Sequence, residues 1–137
     1  MSLFYSKLAL VFTLSTSALF GQLQEVENFT FEVSQKDLTN SSGNKITSGA
    51  GVIQQDRANF FKFKKKDAVD DAGSASYFKS PENRAKIPAM IAESLKQKLI
   101  TKEDVKLLME AGKIAHVTVS KTKAGKLVCT ITITEAS

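Results

Sequence analysis

Residues 115–134 read AHVTVSKTKAGKLVCTITIT, and the way this stretch pairs with itself decides what the rest of the chain must do. In the first half Ala115, Val117 and Val119 alternate with His116, Thr118 and Ser120; in the second, Leu127, Cys129, Ile131 and Ile133 alternate with Val128, Thr130, Thr132 and Thr134. Such period-two alternation marks two half-buried strands. A two-residue turn at Ala124 and Gly125 would set Val119 against Thr130 and send the two apolar faces to opposite sides of the sheet. A three-residue turn, Lys123, Ala124 and Gly125, sets Val119 against Cys129, Val117 against Ile131 and Ala115 against Ile133, which puts the two apolar faces on one side of the sheet. Gly125 then takes the left-handed position that such a turn requires. A lone hairpin is marginal in water, so its apolar face calls for further strands and a covering layer.

The residues upstream offer both. Phe29, Phe31 and Val33 alternate with Thr30, Glu32 and Ser34 and predict a first strand, with Gln22 to Asn28 as a polar lead-in. After a polar surface loop from Gln35 to Ser48, Gly49–Gln54 and Asn59–Lys65 read as a second hairpin turning through Gln55, Asp56, Arg57 and Ala58, its glycines suited to a bulge. Ser80, Pro81 and Glu82 make a helix start. Ile87, Met90, Ile91, Leu95 and Leu99 form one apolar stripe, while Pro88 demands a kink or a fresh start. Thr101 with Asp104 is a variant capping box, Val105, Leu108 and Met109 face inward, and Gly112 ends the helix. The expectation is one α+β domain over residues 22–137. It has a mostly antiparallel sheet of about five strands with two helices, at about 81–99 and 102–111, packed on one face in the order βββααββ.

The first 21 residues stand apart. Lys7 gives a positive start, Leu8 to Phe20 is a 13-residue apolar run, and Ser17, Ala18 and Gly21 supply small residues, the pattern of a secretory signal peptide cut after Gly21 or Ala18. The run is well short of the ~20 residues that span a bilayer. Its removal from the 137-residue chain leaves 116, and the formal charge falls from +5 to +4 with Lys7. The expected destination is secreted or periplasmic, with no transmembrane segment in the mature chain. Cys129 is the only cysteine, so no intramolecular disulfide can form, and its inward position predicts an inert thiol.

Catalytic sets are scarce. His116, the single histidine, lies on the outward side of its strand and Cys129 on the inward side of the next, which keeps them from acting as base and nucleophile. No Gly-rich phosphate loop and no Cys or His pair with zinc spacing is present. No catalytic residue, metal site or cofactor is expected. Asp67, Asp70 and Asp71 do not match a calcium loop and read as an acidic solvated turn. Lys62, Lys64, Lys65 and Lys66 form one basic cluster, and Lys121, Lys123 and Lys126 decorate the C-terminal turn. Together they are the candidate ligand-binding residues, a rim for an anionic glycan, lipid head group, nucleic acid or envelope protein; the competing reading is protection of strand edges. The outward Thr118, Thr130, Thr132 and Thr134 form a polar patch that strand propensity explains. The favoured expectation is a small exported, non-enzymatic binding or accessory protein. Its alternative is a metal-independent hydrolase or lyase with a site in the 66–79 crossover, using carboxylates, lysines or Tyr77. No motif is specific enough to tie the chain to a family.

Overall fold

The computed structural model describes residues 23–136, so the expected signal peptide lies outside the described residues. The fold is α+β, with a three-stranded antiparallel sheet in the order β1-β2-β3. Strand β1 spans Gln24–Glu32, β2 spans Lys113–Lys121 and β3 spans Leu127–Glu135. The hairpin register is the expected one: Val119 faces Cys129, Val117 faces Ile131 and Ala115 faces Ile133. The turn is closed by Thr122 N–H donating to Lys126 O at 2.9 Å and Gly125 N–H donating to Thr122 O at 2.8 Å, with Gly125 at φ +83°.

Strand β1 is longer than its apolar alternation suggested. Its polar lead-in pairs with β2 from Gln24 against Lys121, through a bulge between Glu25 and Glu27. Glu27, Phe29, Phe31 and Val33 all point into the core. Glu27 hides from an apolar pattern because it is charged; it is nevertheless buried, and the hydrogen bonds it accepts hold the crossover segment to the sheet.

The second hairpin does not exist. Residues Gly49–Ala58 form helix α1, extended by a π-helical turn at Asn59–Phe63 that ends at Lys64 with φ +58°. Five strands thus reduce to three. Ser48 caps α1, its Oγ accepting from Gly51 N–H at 3.0 Å. Gly49 is where the chain passes close to its neighbour: a Cβ there would lie 2.6 Å from Val105 O. The buried face of α1 is Gly49, Val52, Ile53, Asp56 and Arg57. Its spacing is helical, but two of the five side chains are charged and one is absent, so no apolar stripe shows.

The helical half follows its signals with shorter elements. Pro81–Arg84 is α2, capped by Ser80, and α3 starts afresh at Ile87–Lys96, the second of the two outcomes Pro88 allowed. The expected 81–99 helix is therefore two helices, and it stops at Lys96 because Lys98 turns left-handed at φ +60°. Lys102–Leu107 is α4, with the Thr101 and Asp104 box formed at 3.1 and 2.9 Å. It ends short of 111, and Gly112 at φ +91° returns the chain to β2. Val52, Ile53, Ile87, Met90, Ile91 and Leu108 cover Phe29, Phe31, Val117, Val119 and Cys129 in one core. No helix among the described residues is long and apolar enough to cross a membrane.

Candidate functional site

The sheet separates Cys129 from His116, as alternation requires. Cys129 is buried, and burial pushes its thiol up to about 11. Its Sγ lies 3.6 Å from Ser94 Oγ, which accepts the Cys129 N–H at 2.7 Å. His116 is exposed on the other face, its Nδ1 2.9 Å from Thr30 Oγ1. A thiolate needs a nearby cation or base to persist, and among the described residues the polar side chain beside the Cys129 thiol is the Ser94 hydroxyl.

The crossover residues are occupied with structure. Asp70 accepts from Glu32 N–H at 2.9 Å and from Asp67 N–H at 2.9 Å; Asp71 accepts from Gly73 N–H at 2.9 Å. Asp67 pairs with Lys36 at 2.9 Å. Glu27 accepts from the N–H groups of Asn28 and Ala75 at 2.9 Å, from Tyr77 N–H at 2.7 Å and from Ser74 Oγ–H at 2.7 Å. These acids therefore tie the segment to β1 and to itself.

The lysines divide into two groups. Lys121, Lys123 and Lys126 surround the β2–β3 turn, beside the start of β1. Lys62, Lys64, Lys65 and Lys66 follow α1 near the far end of β1, where Lys36 donates to Lys66 O at 3.5 Å. The sheet's length stands between them, so no single rim contains all seven. Within the second group, Lys62 lies 5.2 Å from the Phe63 ring centroid and Lys66 5.1 Å from that of Phe60, contacts that use the cations on the protein's own rings. Lys65 lines a cavity of about 350 Å³ with Lys36, Asn40, Gln55 and Phe63, where Lys36 is already paired with Asp67.

The first group has better company. A cleft of about 420 Å³ opens between α3 and the β2–β3 turn. Tyr77, Ala89, Met90 and Leu127 form its apolar floor, and Lys86, Lys121 and Lys126 stand around it with one acid, Glu93. Lys126 Nζ is 3.6 Å from Glu93 Oε1. A hydrogen bond from Gln97 and the nearby Lys126 hold the Glu93 carboxyl below its usual range, so it stays charged and offsets one lysine. Lys86 donates to Asn83 Oδ1 at 3.2 Å. Three cations against one acid leave the cleft with an excess of two positive charges. Lys123 projects from the turn without lining it.

Lys121 and Lys126 stand out in the sequence because they crowd a turn. Lys86, Met90 and Leu127 do not: their pattern is that of any amphipathic helix or strand, and only the packing of α3 beside the turn brings them together. The Tyr77 cleft does not include Asp70, Asp71 or His116, the groups a hydrolytic site in the crossover would have joined to it. Compared with protein-family models, with curated proteins and with solved structures, the chain shows no match.

Proposed function

We propose that this chain is an exported, non-enzymatic binding domain whose cleft between α3 and the β2–β3 turn takes a small anionic ligand with an apolar part. The observation that carries the reading is the ring of Lys86, Lys121 and Lys126 around a floor of Tyr77, Met90 and Leu127. A pocket that is mostly apolar with a few convergent polar groups is the usual form of a small-molecule site. The lysines supply attraction and orientation; the floor supplies burial. Export rests on the N-terminal pattern of Lys7, the apolar Leu8 to Phe20 and the small residues that follow.

The reading is tested by calorimetric titration of the chain without residues 1–21, using octyl sulfate as the probe and octyl glucoside as its neutral counterpart. Saturable binding of the sulfate alone is expected, lost when Lys86, Lys121 and Lys126 are changed together to Gln and kept when Lys62, Lys64, Lys65 and Lys66 are. Equal binding of both probes, or loss with the second set only, would place the site elsewhere.

A further inference from the structure

Helix α1 runs into the π-helical turn Asn59–Phe63 and stops where Lys64 turns left-handed at φ +58°. Asn59 anchors the base of this turn. It is buried, its Nδ2 donates to Lys36 O and to Asp37 Oδ1 at 3.0 Å each, and its Oδ1 accepts from Gln55 Nε2 at 2.9 Å. Asn59 O accepts the Lys65 N–H at 2.7 Å and so closes the turn. The chain is held from below, while Lys62, Phe63, Lys64, Lys65 and Lys66 above it are all exposed.

Three observations single out this surface. Among the described residues the exposed large apolar side chains are Phe63, 38% exposed, and Val69, 41% exposed, and both belong to it. Lys36 links the two parts: it lines one cavity with Phe63 and Lys65, and its Nζ reaches Lys66 O at 3.5 Å and Asp67 Oδ1 at 2.9 Å. Second, among the described residues Lys62, Lys64, Lys65 and Lys66 form no ion pair with an acid. Asp67 is taken by Lys36, and Asp70 turns back to β1 to accept the Glu32 N–H at 2.9 Å. Third, these lysines follow a helix and not a strand, so protection of a sheet edge does not account for them. A cation at the end of a helix complements its dipole; four of them around an exposed ring exceed that need.

We propose that the surface from Lys62 to Val69 adsorbs to a bilayer rich in anionic lipid, the lysines meeting the head groups while Phe63 and Val69 enter the interface. Charge and apolarity together select the occupant. A lysine beside an anionic bilayer strengthens partitioning by about fivefold, and lasting attachment takes a second signal besides a basic patch. The exposed Phe63 ring and Val69 side chain supply it. A nucleic acid or an acidic polysaccharide would use the lysines alone, through its charge. The surface lies at the other end of β1 from the cleft beside the β2–β3 turn, so adsorption leaves the cleft open.

The test is co-sedimentation of the chain without residues 1–21, which keeps the whole described core, with vesicles of phosphatidylcholine alone or mixed equally with phosphatidylglycerol. The wild type should bind the mixed vesicles only, and less as salt is added. Lys62→Gln, Lys64→Gln and Lys65→Gln together should weaken that binding by about tenfold or more. Lys86→Gln, Lys121→Gln and Lys126→Gln together remove the same charge and should weaken it by about threefold at most. Phe63→Ser should weaken it by about fivefold and leave retention on heparin unchanged. The chain has no tryptophan, so Phe63→Trp supplies a single reporter, whose emission should shift to the blue on mixed vesicles and stay unshifted with heparin. No binding to mixed vesicles, equal loss from the two lysine sets, or a Phe63→Trp emission that does not move on bound vesicles overturns the proposal. So does vesicle binding that Phe63→Ser leaves intact, which would make the surface a general polyanion site.

Discussion

Gly73 and Glu27 fit against each other with no room for a side chain between them: a Cβ on Gly73 would stand 2.6 Å from Glu27 Cδ and 2.7 Å from both carboxylate oxygens. Gly73 also sits at φ +89°, a conformation that costs an L-residue on its own. Gly73→Ala therefore combines backbone strain with a clash against a buried, fully hydrogen-bonded acid, and should lower stability by about 2–3 kcal/mol. Urea denaturation followed by circular dichroism measures it. Glu27→Gln, which turns one acceptor oxygen into a donor facing backbone N–H groups, should lose about as much.

The pair beside it, Asp56 and Arg57, is wholly buried, with Arg57 Nε donating to Asp56 Oδ2 at 2.7 Å. The guanidinium also donates to Asp71 O at 2.8 Å and lies 4.2 Å from the Phe29 ring centroid. Asp56 Oδ1 and Arg57 Nη2 have no hydrogen-bond partner among the described residues. Asp56→Ala leaves a buried cation without its counter-charge and should cost about 3–5 kcal/mol. Replacing both, Asp56→Leu with Arg57→Met, should cost less than Asp56→Ala alone, since burying an ion pair is itself expensive. A double-mutant comparison of unfolding free energies checks the order.

Acid should strengthen the fold over a defined window. Burial raises the Asp37 carboxyl to about 6 from 3.8, opposed by the Asn59 side-chain amide and the Ser34 N–H that it accepts from. Burial also raises Asp70. Between about 4 and about 6 the Asp37 carboxyl binds more protons in the folded state than in the unfolded state, so its contribution to stability falls as pH rises through that window. Asp37→Asn should flatten that slope whatever its effect on overall stability. Urea midpoints taken through the window give the answer.

Cys129 should behave as a core residue. With its thiol raised to about 11 by burial, modification by iodoacetamide at neutral pH should be slow in the folded chain and fast once it is unfolded. Mass spectrometry against time, with and without urea, follows it. Rapid native labelling would mean that β3 opens locally.

How far such features could be read beforehand depends on what carries them. Alternation between Ala115 and Thr134 specified register, turn and the sidedness of Cys129 because one wet and one dry face leave a single consistent pairing. Local signals at Ser80 and Thr101 place helix starts because capping is a matter between near neighbours. Helix α1 escaped for the opposite reason. Gly49 and Gly51 are poor helix formers, and the stripe that Gly49 begins ends in Asp56 and Arg57, whose burial depends on Phe29 and Asp71 far away in sequence. Glu27 is hidden likewise, since most of its donors come from the crossover loop. The cleft lay half in view: the turn lysines stood out, but Lys86 and Met90 join them through the packing of α3 on β3.

The binding reading is tested most directly at Met90, a buried core side chain at the base of the cleft. In a carbon-13 methyl spectrum titrated with octyl sulfate, the account predicts a saturable shift of the Met90 signal with Met109 unmoved. Lys121→Gln with Lys126→Gln should weaken the affinity by about tenfold. A Met90 signal that does not respond, or that responds equally to octyl glucoside, would contradict it.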